Sequence, residues 1–232
     1  MDEEEMRRAE DAFRWVKENE QTLIAKFATP GEYETDTVLV SLFMAGSPGA
    51  GKTEVSKRLI QRFSKKPIRI DADEIRTQCP GYRGEDAHIF QKAANKGVNI
   101  LYDHGLHEGL NLILDGTFAY GDAPSNIGRS LDKGRKVEIF FIYQEPQIAW
   151  EFTKKREQLE GRRVTKGVFI NSFLKSKENV GAVKESFGEK VELNLVVKDF
   201  EKDTDRLELN ITGIDQHLEK VYSRDELEAI II

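Results

Sequence analysis

The feature that most constrains this chain is a glycine-rich segment of the form G-x-x-x-x-G-K-T, which reads Gly46-Ser47-Pro48-Gly49-Ala50-Gly51-Lys52-Thr53. Glycines at these positions let successive backbone N–H groups curve into a concave nest for phosphate oxygens. The positive end of a following helix adds to that attraction. In this motif Lys52 reaches the β- and γ-phosphates, and the Thr53 hydroxyl ligates Mg²⁺. The segment therefore predicts a binding site for a nucleoside triphosphate and Mg²⁺.

The residues that flank the glycine-rich segment have the expected character. Val38 to Ala45 is an almost unbroken apolar run, as in a central parallel strand. Glu54 to Phe63 has the periodicity of a helix, with apolar residues on one face: Val55, Leu59, Ile60 and Phe63. A chance glycine-rich turn is the alternative interpretation, and the order strand, loop, helix disfavours it.

The rest of the chain alternates between strand-like and helix-like segments. Four more strands are predicted at residues 67–70, 110–114, 136–143 and 191–197, and helices are predicted at 84–107, 124–133, 146–160 and 168–183. This alternation indicates an α/β fold with about five parallel strands and helices on both faces of the sheet. We predict a single domain over residues 1–232, with a helical N-terminal extension (1–37), a core (38–200) and a C-terminal extension (201–232).

The two extensions carry weaker signals. Residues 1 to about 28 resemble one helix that Pro30-Gly31 ends, and it either packs on the core or serves as a docking or regulatory element. In the C-terminal extension, 207–211 suggests an edge strand and 214–221 a short helix. Ser223 and Glu226 have the spacing of a capping box for a last helix.

Composition narrows the class of protein. The chain has 232 residues and a formal net charge of −6, which argues against a dedicated nucleic-acid binder. Cys79 is the only cysteine, so no internal disulfide can form, and we expect it to be an inert residue near a turn. The acidic start has no apolar signal region, and no apolar run is long enough to cross a bilayer. We expect a soluble, cytoplasmic protein without a membrane partner.

Polar residues stand where the predicted strands end. Asp71 and Asp73 follow the second strand, and Asp115 and Thr117 follow the third. Ligands in such sheets bind at the carboxyl ends of the strands, so we expect these carboxylates near Lys52. One of them can hold Mg²⁺ and another can accept a proton from an acceptor hydroxyl. A helix cap or a turn is the alternative role for each of them.

A basic cluster follows the fourth strand: Lys154, Lys155, Arg156, Arg162, Arg163 and Lys166, interrupted by Gly161. Arginine guanidinium groups match phosphate geometry and stabilise charge on a transferring phosphoryl group. The position of the cluster after the fourth strand, with a break at Gly161, is typical of a mobile lid over a nucleotide. Closure of such a lid would also exclude water from the reaction. The alternative interpretation is a solvated helix face.

Taken together, these motifs resemble the zeta toxin family of P-loop kinases. The resemblance rests on the glycine-rich segment, on Ile-Asp-Ala-Asp-Glu-Ile-Arg at 70–76, on Leu-Asp-Gly-Thr-Phe at 114–118, and on the arginines at 156 and 163. It extends from about residue 38 to 180. It implies a P-loop, nucleotide-kinase-like fold with an arginine-bearing lid. The implied activity is ATP-dependent phosphorylation of the 3′-hydroxyl of the amino sugar in UDP-N-acetylglucosamine, which poisons bacterial wall synthesis.

The resemblance also implies roles for single residues. Lys52 would act on phosphate, Asp73 would be the base, and Thr117 with Arg76 would bind the acceptor; Arg156 and Arg163 would bind the transferring phosphate. The expected Mg²⁺ ligands are Thr53, Asp71 and Asp115, and an antitoxin protein is a candidate partner. The chain departs from the family where Asn99 replaces a glutamate, with Asp103 one turn on. It departs again where Asp115 replaces a glutamate, and in a shorter lid loop.

Two other classes of function are open from the sequence. A nucleic-acid kinase would need a basic channel with aromatic platforms, which the overall acidity disfavours. A GTPase switch would need Asn-Lys-x-Asp, and the segment at residues 95–98 reads Asn-Lys-Gly-Val. We therefore expect a small-molecule kinase whose acceptor is a nucleotide-sugar, with another metabolite kinase or a nucleotide-dependent switch module as alternatives.

Overall fold

The computed structural model describes residues 1–121, 123–199 and 204–232. In these residues the strands form a six-stranded sheet in the order β2-β3-β1-β4-β5-β6. Neighbouring strands are parallel except at the edge, where β6 is antiparallel to β5. The strands are β1 (Val40–Ala45), β2 (Ile68–Asp71), β3 (Leu112–Asp115), β4 (Lys136–Tyr143), β5 (Val191–Asp199) and β6 (Thr204–Glu208).

The described helices connect and cover these strands. They are α1 (Glu3–Glu18), α2 (Glu20–Phe27), α3 (Lys52–Leu59), α4 (Ala72–Arg76), α5 (Gln91–His107), α6 (Ala123–Asp132), α7 (Pro146–Glu160), α8 (Lys166–Phe187) and α9 (Arg224–Ile230). Short 3₁₀ turns lie at Ile60–Arg62, Gly188–Lys190 and Asp215–His217. None of these helices is both long enough and apolar enough to cross a membrane.

Both faces of the sheet are buried. On one face, Leu42 and Ile113 pack with Val55 and Leu59 of α3. The other face carries a larger apolar cluster, which includes Phe43, Leu112, Ile139, Leu101, Ile127 and Val180. Alternation along each strand sends successive side chains to opposite faces, which explains the unbroken apolar runs. The predicted α/β sheet with helices on both faces is confirmed.

The strand order determines which chain segments meet. β1 is central and pairs with β3 on one side and β4 on the other. In the pairing of β2 with β3, Asp71 lies opposite Asp115. The glycine-rich segment, which follows β1, therefore lies at the same edge of the sheet as the polar ends of β2 and β3.

Four predicted elements differ from the structure. The single N-terminal helix is interrupted at Asn19, whose side-chain and backbone N–H groups both donate to the Trp15 carbonyl. Helix α5 begins at Gln91, because the preceding turns include Gly84 with φ of +87°. The edge strand covers Thr204–Glu208 instead of 207–211, and only a 3₁₀ turn stands where a helix over 214–221 was predicted.

The extensions pack against the rest of the chain. Val16 and Leu23, from α1 and α2, share an apolar cluster with Phe90 and Ala93, which supports core packing for the N-terminal helices. The last helix has the predicted capping box, with Ser223 and Glu226 exchanging backbone-to-side-chain hydrogen bonds. The expected boundary between core and C-terminal extension, at residues 200–201, lies outside the described residues, and the division of the domain stays a prediction.

Candidate active site

The glycine-rich segment forms a tight loop that requires glycine. Gly46, Gly49 and Gly51 have φ values of +130°, +75° and +87°, which other residues rarely adopt. A Cβ atom on Gly46 would lie 2.3 Å from the Ile142 carbonyl oxygen, and one on Gly49 would lie 2.0 Å from that of Ala149. The loop thus packs directly on the end of β4 and the first turns of α7. Within the loop, Ser47 and Ala50 are buried and Pro48 is half-buried.

Two neighbouring elements hold the start of the loop. The Gly46 N–H donates to Ser176 Oγ of α8 at 2.7 Å and to the Thr117 carbonyl at 3.2 Å. The Thr117 hydroxyl in turn accepts a hydrogen bond from the Ala119 N–H at 3.4 Å. Thr117, predicted at the acceptor, therefore lies directly beside the phosphate loop.

Lys52 begins α3 and folds back over the loop. Its Nζ donates to the Ser47 carbonyl at 2.6 Å. Burial lowers the pKa of Lys52 to about 8; Asp115 opposes this effect, while Arg162 and Arg156 add to it and Asp71 opposes it. The charges of two carboxylates and of two arginines from the region after β4 therefore act on this ammonium group.

An arginine that the sequence analysis did not single out joins the carboxylates of β2 and β3. Arg69 Nη2 lies 2.7 Å from Asp71 Oδ2 and 2.6 Å from Asp115 Oδ2, and its Nε lies 3.0 Å from the same Asp115 oxygen. Ser56 Oγ of α3 donates to that oxygen as well, at 2.7 Å. Asp71 also accepts from the Asp73 N–H at 2.8 Å and so caps α4.

These contacts bear on the expected Mg²⁺ ligands. Both oxygens of Asp71 accept hydrogen bonds from the protein, which suits a role in loop structure. The hydrogen bonds to Asp115 described in the structure all end on Oδ2. Mg²⁺ is usually held by one or two carboxylates together with nucleotide phosphates and water. Asp115 and the Thr53 hydroxyl supply oxygen ligands of this kind, and their roles in holding Mg²⁺ stay predictions. No group of three acidic, His or Cys side chains among the described residues could hold a metal alone.

Asp73 lies among arginines. Arg76 Nη1 donates to its Oδ1 at 2.7 Å, Arg162 Nη1 donates to its Oδ2, and Arg156 Nη2 lies 4.0 Å from Oδ2. Arg76 is only 3% exposed, and its Nη2 donates to Gln91 Oε1 at 2.8 Å. Arg76 is therefore a buried residue that contacts the predicted base.

The predicted lid forms the turn between α7 and α8. Gly161 ends α7 with φ of +71°, and Thr165 caps α8. Within this turn the side chain of Arg162 points to Asp73, whereas that of Arg163 is 69% exposed and its Nε lies 3.8 Å from Glu157 Oε1. The structure brings Arg156 and Arg162 to the site; a role for Arg163 stays a prediction.

Sequence reasoning missed Arg69 and assigned Arg162 no role in the site. The signal for Arg69 was available, since a charged residue alternates with Ile68 and Ile70 in a strand that otherwise reads as buried. Adjacent arginines in an irregular turn have no periodicity that tells them apart, so the orientation of Arg162 needed the structure.

Comparison with known proteins identifies the family and the fold. The model of the zeta toxin family matches residues 28–210. Toxin PezT of Streptococcus pneumoniae is 28% identical over 119 residues, which is 48% of this chain and 47% of PezT. The chain thus aligns with about half the length of this curated relative.

Solved structures share the fold. One from the PezAT chromosomal toxin-antitoxin system of Streptococcus pneumoniae has a TM-score of 0.60 at 17% identity, and the match covers 100% of this chain and 88% of that one. The AvrRxo1-ORF1:AvrRxo1-ORF2 complex with sulphate ions has a TM-score of 0.56 at 14% identity, covering 91% and 70%. The structure of AvrRxo1-ORF1:-ORF2 with ATP has a TM-score of 0.52 at 17% identity, covering 97% and 71%. Because the family model matches more than half of the residues, this chain belongs to the zeta toxin family.

Proposed function

We propose that the protein is an ATP-dependent kinase that transfers the γ-phosphoryl group of ATP to a hydroxyl of a small molecule. One observation carries the proposal: Arg156 and Arg162 lie beside Asp73, and the positive charges of both arginines help to lower the pKa of Lys52. This arrangement supports phosphate-binding, proton-accepting and charge-stabilising roles for groups at one edge of the sheet. A proton acceptor at this place favours phosphoryl transfer over a nucleotide-dependent switch, which needs none.

In the proposed reaction, the P-loop amides and Lys52 bind the β- and γ-phosphates. The acceptor oxygen attacks the γ-phosphorus, and Asp73 takes the hydroxyl proton. The bond from the γ-phosphorus to the bridging oxygen breaks. Its electron pair stays on that oxygen, which leaves as part of ADP. Mg²⁺, held through Thr53 and Asp115, would neutralise charge on the phosphates.

The arginines have separate parts in this proposal. Arg156 and one of the adjacent pair Arg162 and Arg163 stabilise charge on the transferring phosphoryl group. Arg76 orients Asp73, because its guanidinium is buried and its terminal nitrogens bind Asp73 and Gln91. Its proposed influence on the acceptor is therefore exerted through the base.

A UDP-N-acetyl sugar is the acceptor that we favour. This choice rests on the family resemblance, which also assigns Thr117, a residue beside the phosphate loop, to the acceptor. An antitoxin protein is the proposed partner, supported by the likeness to toxin-antitoxin structures. We place the reaction in the cytoplasm, where ATP is available.

Mass spectrometry tests the activity and names the acceptor. A metabolite extract, UDP-sugars, nucleosides and oligonucleotides are each incubated with ATP, Mg²⁺ and either the wild type or Asp73→Asn. We expect a species heavier by one phosphate with the wild type alone, among the UDP-N-acetyl sugars. A phosphorylated oligonucleotide would replace the proposal with a nucleic-acid kinase. ATP hydrolysis without any phosphorylated product in any mixture would refute the kinase assignment.

A further inference from the structure

We propose that Arg69 is a positioning residue of this site, whose guanidinium fixes and neutralises Asp71 and Asp115 so that they do not bind a divalent cation before nucleotide arrives. The part of this inference that concerns phosphoryl transfer rests on the proposed function. The cation-binding part concerns the nucleotide-free protein and stands without it.

The position of Arg69 is set by the sheet. Arg69 and Asp71 are two residues apart on β2 and so lie on the same face. Asp115 is the register partner of Asp71 on β3 and carries its side chain to that same face, the one that α3 covers. An arginine at this place occupies a position where the neighbouring strands carry Leu42 and Ile113.

Arg69 contacts side chains from four different elements of the fold. Its side chain is 10% exposed and contacts Asp71 of β2, Asp115 of β3, Ser56 of α3 and Glu74 of α4. The Nε and Nη2 atoms both bind Asp115 Oδ2. A planar, positively charged group with several N–H donors can bind and neutralise several acceptors at once.

The hydrogen bonds described for this pair of carboxylates occupy three of their four oxygens. Asp71 has one oxygen on Arg69 and the other on the Asp73 N–H. Asp115 Oδ2 accepts from Arg69 and Ser56. A divalent cation at this pair would have to displace a charge-assisted hydrogen bond and approach a positive guanidinium. Nucleotide phosphates add negative charge and oxygen ligands, so cation binding becomes favourable only once nucleotide is bound.

Electron paramagnetic resonance with Mn²⁺ as the probe tests this inference in the nucleotide-free full chain at pH 7.5. We expect weak, unsaturated binding by the wild type. Arg69→Met should bind Mn²⁺ about tenfold more tightly or better, because it leaves two adjacent carboxylates unneutralised. Arg69→Lys retains the charge and should lie close to the wild type. The matched control is Arg62→Met, which removes an arginine from a different carboxylate, Glu138, and should match the wild type.

A double variant identifies the ligand and guards against misfolding. Arg69→Met with Asp115→Asn should lose the gained Mn²⁺ binding, while circular dichroism confirms that each variant is folded. Tight Mn²⁺ binding by the nucleotide-free wild type would overturn the inference. So would a folded Arg69→Met variant whose Mn²⁺ affinity equals that of the wild type, or Arg69→Lys behaving like Arg69→Met. These outcomes are read without any kinase activity, so failure of the proposed function is a separate result.

Discussion

Arg162, in the turn between α7 and α8, donates a hydrogen bond to Oδ2 of Asp73, while Arg76 binds the other oxygen of the same carboxylate. The proposed base is therefore held between a buried arginine and a lid arginine. An acceptor hydroxyl that donates to Asp73 Oδ2 would compete with Arg162. In the proposed reaction Arg162 moves from the carboxylate toward the more highly charged phosphates of ATP.

This relationship predicts a ranking of two adjacent variants. Arg162→Ala should lower kcat on the order of a hundredfold, which is the scale of phosphate-clamping arginines, and change KM less. Arg163→Ala should have a smaller effect because its side chain is 69% exposed. Steady-state kinetics with ATP and the identified acceptor measures both. The opposite ranking would mean that the lid turns in the reacting complex and presents Arg163, as the family resemblance implies.

Asp73→Asn separates the catalytic role of this residue from its structural one. Asparagine keeps an oxygen for Arg76 but cannot accept the proton, so we expect retained ATP binding and strongly reduced phosphoryl transfer. Loss of the charge beside buried Arg76 should lower the free energy of unfolding by about 1–3 kcal/mol. Kinetics well below the melting temperature, with denaturant unfolding alongside, checks both. The control is Asp71→Asn: if it is inactive while Asp73→Asn is active, the base has been assigned to the wrong carboxylate.

The sequence predicted what depends on local pattern. The order β1, P-loop, α3 follows from an apolar run, glycines and helical periodicity in one continuous stretch, and the capping box of α9 is equally local. The contacts of Arg69 and Arg162 depend on which strands are neighbours and on how an irregular turn is oriented. The two-residue spacing of Arg69 and Asp71 puts them on one face of β2, but no spacing encodes the pairing with Asp115 or the orientation of Arg162. That part of the arginine-carboxylate network became visible only in three dimensions.

Lys52→Ala should abolish phosphoryl transfer and leave the fold intact. The only hydrogen bond described for Nζ goes to the Ser47 carbonyl, so the free energy of unfolding should change by no more than about 1 kcal/mol. The matched control is Lys96→Ala, on α5 across the sheet from α3, which should keep wild-type activity. Turnover and denaturant unfolding are measured for both. ATP-dependent transfer by Lys52→Ala would remove the P-loop from the active site.

The pKa of Lys52 predicts proton uptake on nucleotide binding. In the free protein burial lowers this pKa to about 8, so Lys52 is mostly neutral at pH 9. Bound phosphates favour the charged form and raise the pKa, so ATP binding at pH 9 should take up close to one proton and weaken as pH rises above about 8. Calorimetry at pH 9 in two buffers of different ionisation enthalpy measures the uptake. Equal binding enthalpies in both buffers would contradict it, and Lys52→Met should show no uptake.

The packing of the lid turn predicts a difference between two glycines in the segment before α5. Gly84 and Gly81 have φ values of +87° and +79°, so alanine is strained at both. A Cβ atom on Gly84 would lie 2.8 Å from the Glu160 carbonyl oxygen at the end of α7, whereas the space around Gly81 is open. Alanine at Gly84 should therefore displace the turn that carries Arg162.

Gly84→Ala should cost about 1–3 kcal/mol more unfolding free energy than Gly81→Ala, which is the usual cost of overpacking. It should also lower kcat, because Arg162 lies in the turn that is displaced. Denaturant unfolding and steady-state kinetics of the two variants give both quantities, and backbone strain cancels in the comparison. Equal stability and equal kcat would mean that the segment before α5 does not support the lid. A stability loss with unchanged kcat would mean that the position of the turn is not critical for transfer, and that Arg162 is recruited from more than one arrangement.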